Sequence, residues 1–387
     1  MVEFPIYNAI HAALFETFGK YTLEVWGRIL TAVISLITAV FLYLLGKRYY
    51  GTSVGLFTAF FYLFLPFNVY FTRVILPDPL GVLFAVSGLY FFGINFVISG
   101  LLFALAFLQK PFFAVYLFPL IPQFLKKENL KRNLKFAFLA FTPFLIWRLW
   151  ISQFPEGIPF YSWAFNGDRI RFHPAFFRWI FGERIGILIL GVWGLVPFIY
   201  GVIKKQKNNF HLYLTGGMLT YLIVVATANV RHDYYQILII PAVSLCLALG
   251  SVWLLKSSKI ILFISLITMF LIGWDRIKPF YQINHPELME VGKIVDEKLP
   301  KDAQIVIPYS GDTAFLYQTN IAGFPFVPSS IKDLIADFGV KYYVSPNYDD
   351  KTNWVLRYFY AIEQNPKFVI VDLTKVKKEF NDKDLEP

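Results

Sequence analysis

The chain has very little of the charge that a soluble protein needs and almost no cysteine. Only 16% of its 387 residues are charged, whereas 57% are hydrophobic and 19% are aromatic. This balance excludes an ordinary soluble globular domain and is typical of a polytopic membrane protein. The single cysteine, Cys246, lies in an apolar run, so it excludes a disulfide within one chain and gives no information on the redox compartment.

The sequence also lacks the motifs of several enzyme classes. It has no glycine-rich phosphate loop, no Cys/His set with metal-ligand spacing and no nucleophile elbow. No basic region precedes an apolar run at the N-terminus, so the pattern predicts no cleavable signal peptide. These observations require no cofactor, and they leave dependence on a divalent metal open.

The net charge of +10 belongs to one part of the chain. Residues 1–274 contain 22 basic and 9 acidic side chains, whereas residues 275–387 contain 14 and 17. Basic residues concentrated in the most apolar region are expected of cytoplasmic loops. We therefore predict membrane lipids as partners and exclude nucleic acid.

Runs without Lys, Arg, Asp or Glu predict the membrane segments of residues 1–274. These runs are 29–46, 55–72, 80–109, 111–125, 136–147, 185–203, 212–230, 234–255 and 260–274. The run at 80–109 is long enough for one full span and a short second one, with a turn near residues 95–100. The pattern predicts about ten membrane segments, two of them short. The aromatic-rich loop 151–184 favours a helix lying in the membrane interface.

If successive membrane segments cross in opposite directions, the charged residues between them fall into two groups, one on each side of the membrane. One side carries twelve cations, ten of them lysine, against Glu128 alone, and the other carries ten cations, eight of them arginine, against eight acids. The positive-inside rule places the lysine-rich side in the cytoplasm and places the N-terminus and the tail after residue 274 outside. The guanidinium group of arginine can bind phosphate through two hydrogen bonds, so the excess of arginine on the outer side favours an anion site there. Pairing of these arginines with the eight acids is the alternative.

Residues 275–387 have the pattern of a small α/β domain outside the membrane. Helices are predicted at 286–299, 330–338 and 354–364, and strands at 304–308, 340–344 and 367–372. Strands that alternate with helices predict a mostly parallel sheet. No catalytic set is visible in this domain.

Residues 68–80 join two apolar runs and place Arg73 and Asp78 where lipid would otherwise be. Such charges are costly unless they face water, a cavity or each other. Pro77 and Pro79 end one helix and start the next, so Asp78 is predicted near a helix N-terminus. A loop with a surface ion pair is the alternative.

A second polar cluster, residues 229–236, contains Arg231, His232, Asp233 and Tyr234 between two charge-free runs. It predicts a polar pocket in which Arg231 binds an anion and His232 or Asp233 orients a hydroxyl group. Anchoring at the interface, with the tyrosines in the aromatic belt, is the alternative.

Lys110 interrupts an apolar stretch directly before Pro111. A broken helix at membrane depth lines a cavity more often than it faces lipid, so Lys110 is a candidate phosphate contact. Snorkelling of the lysine toward the interface is the alternative. Arg148, flanked by Trp147 and Trp150, is interpreted as a snorkelling anchor.

The order of these stretches resembles a known family. The segments that carry the resemblance are 3–7, 26–28, 43–48, 55–61, Arg73 with 77–78, 105–111, 231–236 and the α/β tail. Each is loose alone, but their order is fairly specific and covers nearly the whole chain. The chain resembles the bacterial and archaeal integral-membrane glycosyltransferases of the protein O-mannosyltransferase-like family. That family has the GT-C fold and includes transferases of aminoarabinose to lipid A.

The resemblance implies a cell-envelope enzyme at the outer face of the cytoplasmic (inner) membrane. Such enzymes transfer a sugar from a polyprenyl-phosphate carrier to a hydroxyl group of a lipid, glycan or protein, usually with inversion. A carboxylate deprotonates the acceptor, and cations hold the leaving lipid phosphate. The candidate bases are Asp78 and Glu3. The candidate substrate and phosphate ligands are Arg73, Lys110, Arg231, His232, Asp233 and Tyr234.

The sequence departs from the family at its start. The family's first helix and the outer loop that carries its presumed base have no counterpart before residue 3. We therefore expect the 387-residue chain to be poorly active or inactive alone. Equal transfer rates for this chain and for a version extended upstream would contradict that expectation.

A polytopic transporter or lipid flippase is the alternative function, because broken helices and intramembrane charges suit it equally well. Transporters usually contain internal repeats, and none is visible here. A scaffolding protein would leave the outer arginine excess and the charges at helix breaks without a reason. The sugar, the acceptor and the oligomeric state are not specified by the sequence.

Overall fold

The computed structural model describes residues 3–155, 162–282, 285–309, 311–327 and 330–377. The chain forms two compact units, Met1–Tyr281 and Gln282–Pro387. The first unit is helical, and the second combines helices with a five-stranded sheet. The predicted fold class, an α-helical polytopic membrane protein with a small C-terminal α/β domain, is confirmed.

The helices of the first unit follow the apolar runs of the sequence. In chain order, the α-helices are α1 (Ile6–Phe18), α2 (Leu23–Tyr50), α3 (Thr52–Phe64), α4 (Pro66–Phe71), α5 (Asp78–Phe92), α6 (Phe96–Gln109), α7 (Ile121–Phe124), α8 (Leu130–Ile151), α9 (Trp163–Asn166), α10 (Pro174–Phe177), α11 (Leu195–Ile203), α12 (Phe210–Val224), α13 (Ala226–Arg231), α14 (Ile240–Ser257) and α15 (Lys259–Ile277). Tighter 3-10 turns cover Pro111–Leu120, Lys127–Asn129, Asp233–Ile239 and Lys278–Tyr281, and a π-helix covers Arg178–Ile189.

Four helices of the described residues are long and apolar enough to cross a membrane. They lie in Leu23–Tyr50, Lys127–Ile151, Asp233–Ser257 and the stretch that begins at Lys259. Shorter apolar helices, such as α3, α5, α6 and α12, accompany them. In the predicted interfacial loop, residues 156–161 lie outside the described residues, and the remainder includes α9, α10 and the first part of the π-helix.

Breaks in the apolar runs have local causes. Pro66 separates α3 from α4 because a proline cannot donate the hydrogen bond that would continue the helix. The long run at 80–109 turns between α5 and α6, slightly before the predicted position. There the Asn95 side chain caps α6 by accepting hydrogen bonds from the backbone of Val97 and Ile98 at 3.0 and 3.2 Å.

Small residues let several helices approach closely. A Cβ atom on Gly250 of α14 would lie 1.7 Å from the carbonyl oxygen of Pro197 on α11, and one on Gly201 would lie 1.8 Å from that of Cys246. Helices in lipid associate largely through such close packing, because lipid tails are as apolar as the side chains.

Helix α5 is the central element of the first unit. Eleven of its fifteen residues are buried. Gly81 leaves room for the ring of Phe113, because a Cβ atom at that position would lie 2.1 Å from a ring carbon. This contact sets the segment that follows Lys110 directly against the first turn of α5.

The second unit contains α16 (Pro286–Lys298), β1 (Gln304–Val306), α17 (Thr313–Gln318), β2 (Gly323–Phe324), α18 (Ile331–Phe338), β3 (Val340–Ser345), α19 (Asp350–Tyr358), β4 (Phe359–Asn365) and β5 (Phe368–Val376). The strand order is β2-β1-β3-β5-β4. Strand β1 pairs in parallel with β2 and β3, whereas β5 pairs antiparallel with β3 and β4.

The prediction of a mostly parallel sheet is wrong, because β4 and β5 form a hairpin. The predicted helix 354–364 instead begins at Asp350, where the Asp349 side chain accepts a hydrogen bond from the Thr352 backbone at 2.8 Å. It ends at Tyr358, and β4 follows with alternating burial along its length. Helix α17 and strand β2 were not predicted.

Candidate active site

Asp78 occupies the first turn of α5, as predicted. Pro77 precedes it at the N-cap and Pro79 follows it in the helix, which fixes the backbone at the start of the helix. The residue is only 4% exposed. The N-terminal end of a helix favours a negative charge, which offsets part of the cost of burying this carboxylate.

Lys110 lies at the break between α6 and the 3-10 turn Pro111–Leu120. Its backbone is extended, with φ −153° and ψ 132°, because a residue before proline avoids the helical region. The ammonium group therefore leaves the helix axis and donates to both carboxylate oxygens of Asp78 at 2.9 Å. Its side chain is 11% exposed and that of Asp78 is 5% exposed, so this ion pair is buried.

Glu3 completes the charged cluster from near the N-terminus of the chain. Its carboxylate lies 3.6 Å from the Lys110 ammonium, and its side chain is 39% exposed. The next residue fixes this approach, because the Phe4 backbone donates to the Leu108 carbonyl at 2.9 Å and its ring contacts Trp147. Partial burial raises the pKa of Glu3, an effect that the Lys110 ammonium opposes.

Two tyrosines cover the ammonium group of Lys110. Its nitrogen lies 5.7 Å from the ring centroid of Tyr234 and 5.2 Å from that of Tyr235, within cation–π range. The hydroxyl group of Tyr221 donates to the Tyr235 carbonyl at 3.1 Å. Tyr234 thus joins the cluster, as predicted for a shared site, although through its ring.

A cavity of about 350 Å³ adjoins this cluster. Lys110 and Glu3 contribute charge to its wall, together with Arg148 of α8. Most of the remaining wall is apolar or aromatic, including Trp163 and Tyr235. Such a cavity, mostly apolar with a few polar groups, is typical of a small-molecule or lipid site.

The other predicted ligands form a neighbouring cluster of ion pairs. Arg231 donates to both oxygens of Asp168 at 2.6 and 2.9 Å, and Arg184 pairs with Asp233. The hydrogen bond from Arg231 lowers the pKa of Asp168. For these two arginines, the structure favours pairing with acids, which is the alternative left open by the sequence. Arg231 does not line the cavity around Lys110.

His232 connects the two clusters through Trp163. The two rings lie 5.8 Å apart in an edge-on arrangement, and Trp163 also lines the cavity. Desolvation lowers the pKa of His232, so the imidazole is neutral near pH 7.

Arg73 lies apart from these groups. It is exposed, and its guanidinium carbon lies 4.7 Å from the ring centroid of Tyr281. Asp78 is bound by Lys110 instead. The structure therefore gives Arg73 a cation–π contact and no direct part in the Lys110 cluster.

Sequence reasoning did not select three residues that line the cavity. Arg148 was interpreted as an interface anchor, and Trp163 and Tyr235 were counted only with their neighbours. Their common signal is an aromatic or cationic side chain close to a predicted helix end, which also fits simple anchoring. No group of three or more His, Cys, Asp or Glu side chains among the described residues is placed to hold a metal ion.

The arrangement can perform two chemical tasks. Glu3 can accept a proton, since its carboxylate is partly exposed and has a raised pKa. Lys110 and Arg148 can hold an anion at the cavity wall. Because Asp78 and Glu3 together outweigh the charge of Lys110, an incoming phosphate needs a further cation. Among the described residues that line the cavity, Arg148 supplies it.

Comparison with known proteins gives a family match over part of the chain and a similar fold over nearly all of it. Residues 4–150 match the family model described as dolichyl-phosphate-mannose-protein mannosyltransferase. The structure of ArnT from Cupriavidus metallidurans bound to undecaprenyl phosphate is similar with a TM-score of 0.67 and 12% sequence identity, covering 95% of this chain and 87% of that chain. The same protein in the apo state gives a TM-score of 0.57 with the same identity and coverage. The comparison with curated proteins gave no match.

These findings confirm the predicted resemblance and the GT-C-like fold. The similarity to ArnT extends over nearly the whole chain, whereas the family match is confined to residues 4–150. That match includes Glu3's neighbour Phe4 together with Asp78, Lys110 and Arg148. The parts of the cavity wall that carry charge thus lie in or directly beside the matched region.

Proposed function

We propose that this chain, a multi-pass membrane protein with a GT-C-like fold and a mannosyltransferase-family match over residues 4–150, is a glycosyltransferase. It moves a sugar from a polyprenyl-phosphate carrier to an acceptor hydroxyl group of a lipid, glycan or protein. The observation that carries this proposal is the placement of Lys110 between two carboxylates, at a helix break on the wall of a largely apolar cavity.

The proposed reaction is a displacement at the anomeric carbon of the sugar. The acceptor oxygen forms a bond to that carbon, and the bond from the carbon to the phosphate oxygen breaks, leaving polyprenyl phosphate. Glu3 takes the proton from the acceptor hydroxyl group. Lys110 and Arg148 stabilise the negative charge that develops on the departing phosphate.

Asp78 is assigned a positioning role, although the sequence offered it as a base. Both of its oxygens accept hydrogen bonds from Lys110, and it is almost completely buried. An acceptor hydroxyl group would have to displace the ammonium to reach it. Glu3, which is more exposed and farther from Lys110, is better placed to accept a proton.

The proposed location is the outer face of the cytoplasmic membrane. The lysine-rich loops support it, because positive charge in short loops marks the cytoplasmic side. Under this orientation, Glu3, Lys110 and the 229–236 cluster face outward. The second unit, Gln282–Pro387, is proposed to lie outside as well and to contact the acceptor or a partner.

The test follows the carrier lipid through the reaction. Purified protein is incubated with undecaprenyl-phosphate-linked sugars and solubilised membranes as the source of acceptors, and released undecaprenyl phosphate is measured. Loss of one charge-stabilising group lowers the rate of such reactions by about 100-fold or more, which we expect for Lys110→Met. Lys126→Met, on an exposed lysine, is the matched control and should leave the rate unchanged.

Release of undecaprenyl phosphate that is equal in Lys110→Met and the parent would refute the assigned site. Lipid movement across liposome membranes without any transfer product would refute the glycosyltransferase and favour the flippase.

A further inference from the structure

A second cavity lies at the other end of the helical unit, beside the lysine-rich loops. Its volume is about 480 Å³. Its wall includes Phe92 and Gly93 at the C-terminal end of α5, Arg132 near the start of α8, and Lys207 before α12. We call it the lysine-face cavity. Helix α5 begins at Asp78 in the candidate active site and is fifteen residues long, so about 20 Å of helix separates the two cavities.

The charge of the lysine-face cavity is entirely positive. Arg132 and Lys207 line it together with the amide side chains of Gln123, Asn208 and Asn209. None of the described residues that line it is acidic. The candidate active site, in contrast, contains two carboxylates beside its lysine. The lysine-face cavity therefore attracts anions without an internal counter-charge.

Arg132 is held in place with part of its hydrogen-bonding capacity unused. Its Nε and Nη2 atoms are buried, and neither has a partner among the described residues. The guanidinium carbon lies 5.1 Å from the ring centroid of Phe92, which fixes the orientation of the group. Buried donors without an acceptor are costly, and a phosphate offers the oxygen pair that a guanidinium fork matches.

The remaining walls are aromatic. Tyr49, Phe92, Phe210 and Tyr213 line the cavity, and the rings of Tyr49 and Phe210 stack with their centroids 4.3 Å apart. Free phosphate would make no favourable contact with aromatic walls, whereas the apolar chains of a lipid would pack against them. Basic pockets between membrane helices on the cytoplasmic side are typical binding sites of anionic lipid headgroups.

We propose that the lysine-face cavity binds the phosphate headgroup of an anionic membrane lipid, with Arg132 and Lys207 as its ligands and the aromatic walls against the lipid chains. The site is separate from the one at which the sugar is transferred. It is tested without reference to transfer activity, so either proposal can fail alone.

The probe is dioctanoyl phosphatidylglycerol, added to the full chain in a neutral detergent. Binding is measured by native mass spectrometry and by the shift in melting temperature. Dioctanoyl phosphatidylcholine and inorganic phosphate are run in parallel. The variants are Arg132→Gln and Lys207→Gln, and the matched control is Lys131→Gln, which removes an exposed charge next to Arg132 on the same helix.

We expect phosphatidylglycerol to bind and to raise the melting temperature, and phosphatidylcholine to do neither. Loss of a charge-assisted hydrogen bond weakens binding by about tenfold, which we expect for Arg132→Gln but not for Lys131→Gln. Lys207→Gln, in a loop, serves if Arg132→Gln does not fold. An equal rise in melting temperature with inorganic phosphate alone would support an anion site and refute the proposal that its ligand is a lipid. Equal binding by both variants and the parent would overturn the site itself.

Discussion

Three charged groups share a small volume at the Lys110 break, and they come from distant parts of the chain. The ammonium lies against Asp78, which is buried, and within 3.6 Å of Glu3, which is partly exposed. The difference in exposure separates their roles. The carboxylate of Asp78, with both oxygens hydrogen-bonded, fixes the position of Lys110, whereas the partly exposed carboxylate of Glu3 can exchange a proton.

Replacing Asp78 by asparagine tests the positioning role. Lys110 then keeps only the more distant Glu3, and a buried charge that loses its partner destabilises a fold by about 3 kcal/mol. We expect the free energy of unfolding, measured by denaturant titration in detergent micelles, to fall by that amount. Glu16→Gln, on an exposed carboxylate of α1, is the control. An Asp78→Asn variant as stable as the parent would show that the pair is not buried in solution.

The pH dependence of transfer tests the role of Glu3. A glutamate acts as a base only when ionised, and burial raises the pKa of Glu3 above its ordinary 4.5. As the pH falls, kcat/KM should therefore decline at a higher pH than an exposed glutamate would give. In Glu3→Gln, the rate should be low and this acidic limb should disappear. Persistence of the limb in Glu3→Gln would assign it to another group.

At the scale of secondary structure, the elements that carry the site were predictable because prolines interrupt the apolar runs where helices begin or end. Pro77 and Pro79 predicted the start of α5, and Pro111 predicted the break at Lys110. The approach of Glu3 to Lys110 was not predictable, since it depends on a backbone contact from Phe4 to a distant helix. Arg148 was missed because an arginine between tryptophans has the pattern of an interface anchor.

In the second unit, local patterns predicted most elements but not the topology. The positions of α16, α18 and β3 were predicted from the spacing of their apolar residues. The antiparallel end of the sheet depends on the short β4–β5 connection. Several residues of 359–365 are common in helices as well as in strands. The spacing of the apolar residues therefore did not distinguish a helix from an edge strand.

The contact between α11 and α14 gives a prediction at the scale of helices. Gly250→Ala places a methyl group where the Pro197 carbonyl oxygen lies, so the helices must separate. Such overpacking destabilises a core by about 2 kcal/mol. Gly216→Ala in α12, which would contact nothing within 4 Å, is the matched control and should be neutral or stabilising. Equal melting temperatures for both variants in micelles would contradict the close helix contact.

At the scale of the molecule, the distribution of charge defines two chemically different ends of the helical unit. One end has acids beside basic residues around the candidate active site, and the other has basic residues around the lysine-face cavity. Helix α5, which runs between them, is largely buried within the unit. A mechanism that requires a donor from one leaflet depends on which end faces outward.

Accessibility of engineered cysteines tests that orientation. Cys246 is buried, and Cys246→Ser provides a cysteine-free background. We expect Lys20→Cys to react with a membrane-impermeant maleimide added to intact spheroplasts, and Lys205→Cys to react only after permeabilisation, because lysine-rich loops remain in the cytoplasm. Both positions are exposed. The reverse labelling pattern would place the candidate active site on the cytoplasmic side.

The most direct measurement is a cryo-electron microscopy structure of the full chain in lipid nanodiscs with undecaprenyl phosphate. We predict density for the lipid phosphate in the cavity lined by Lys110 and Arg148, with a phosphate oxygen within about 4 Å of the Lys110 ammonium nitrogen. A phosphate bound only at Arg231 or only in the lysine-face cavity, with Lys110 still enclosed by its carboxylates, would contradict the assignment of this site to the donor lipid.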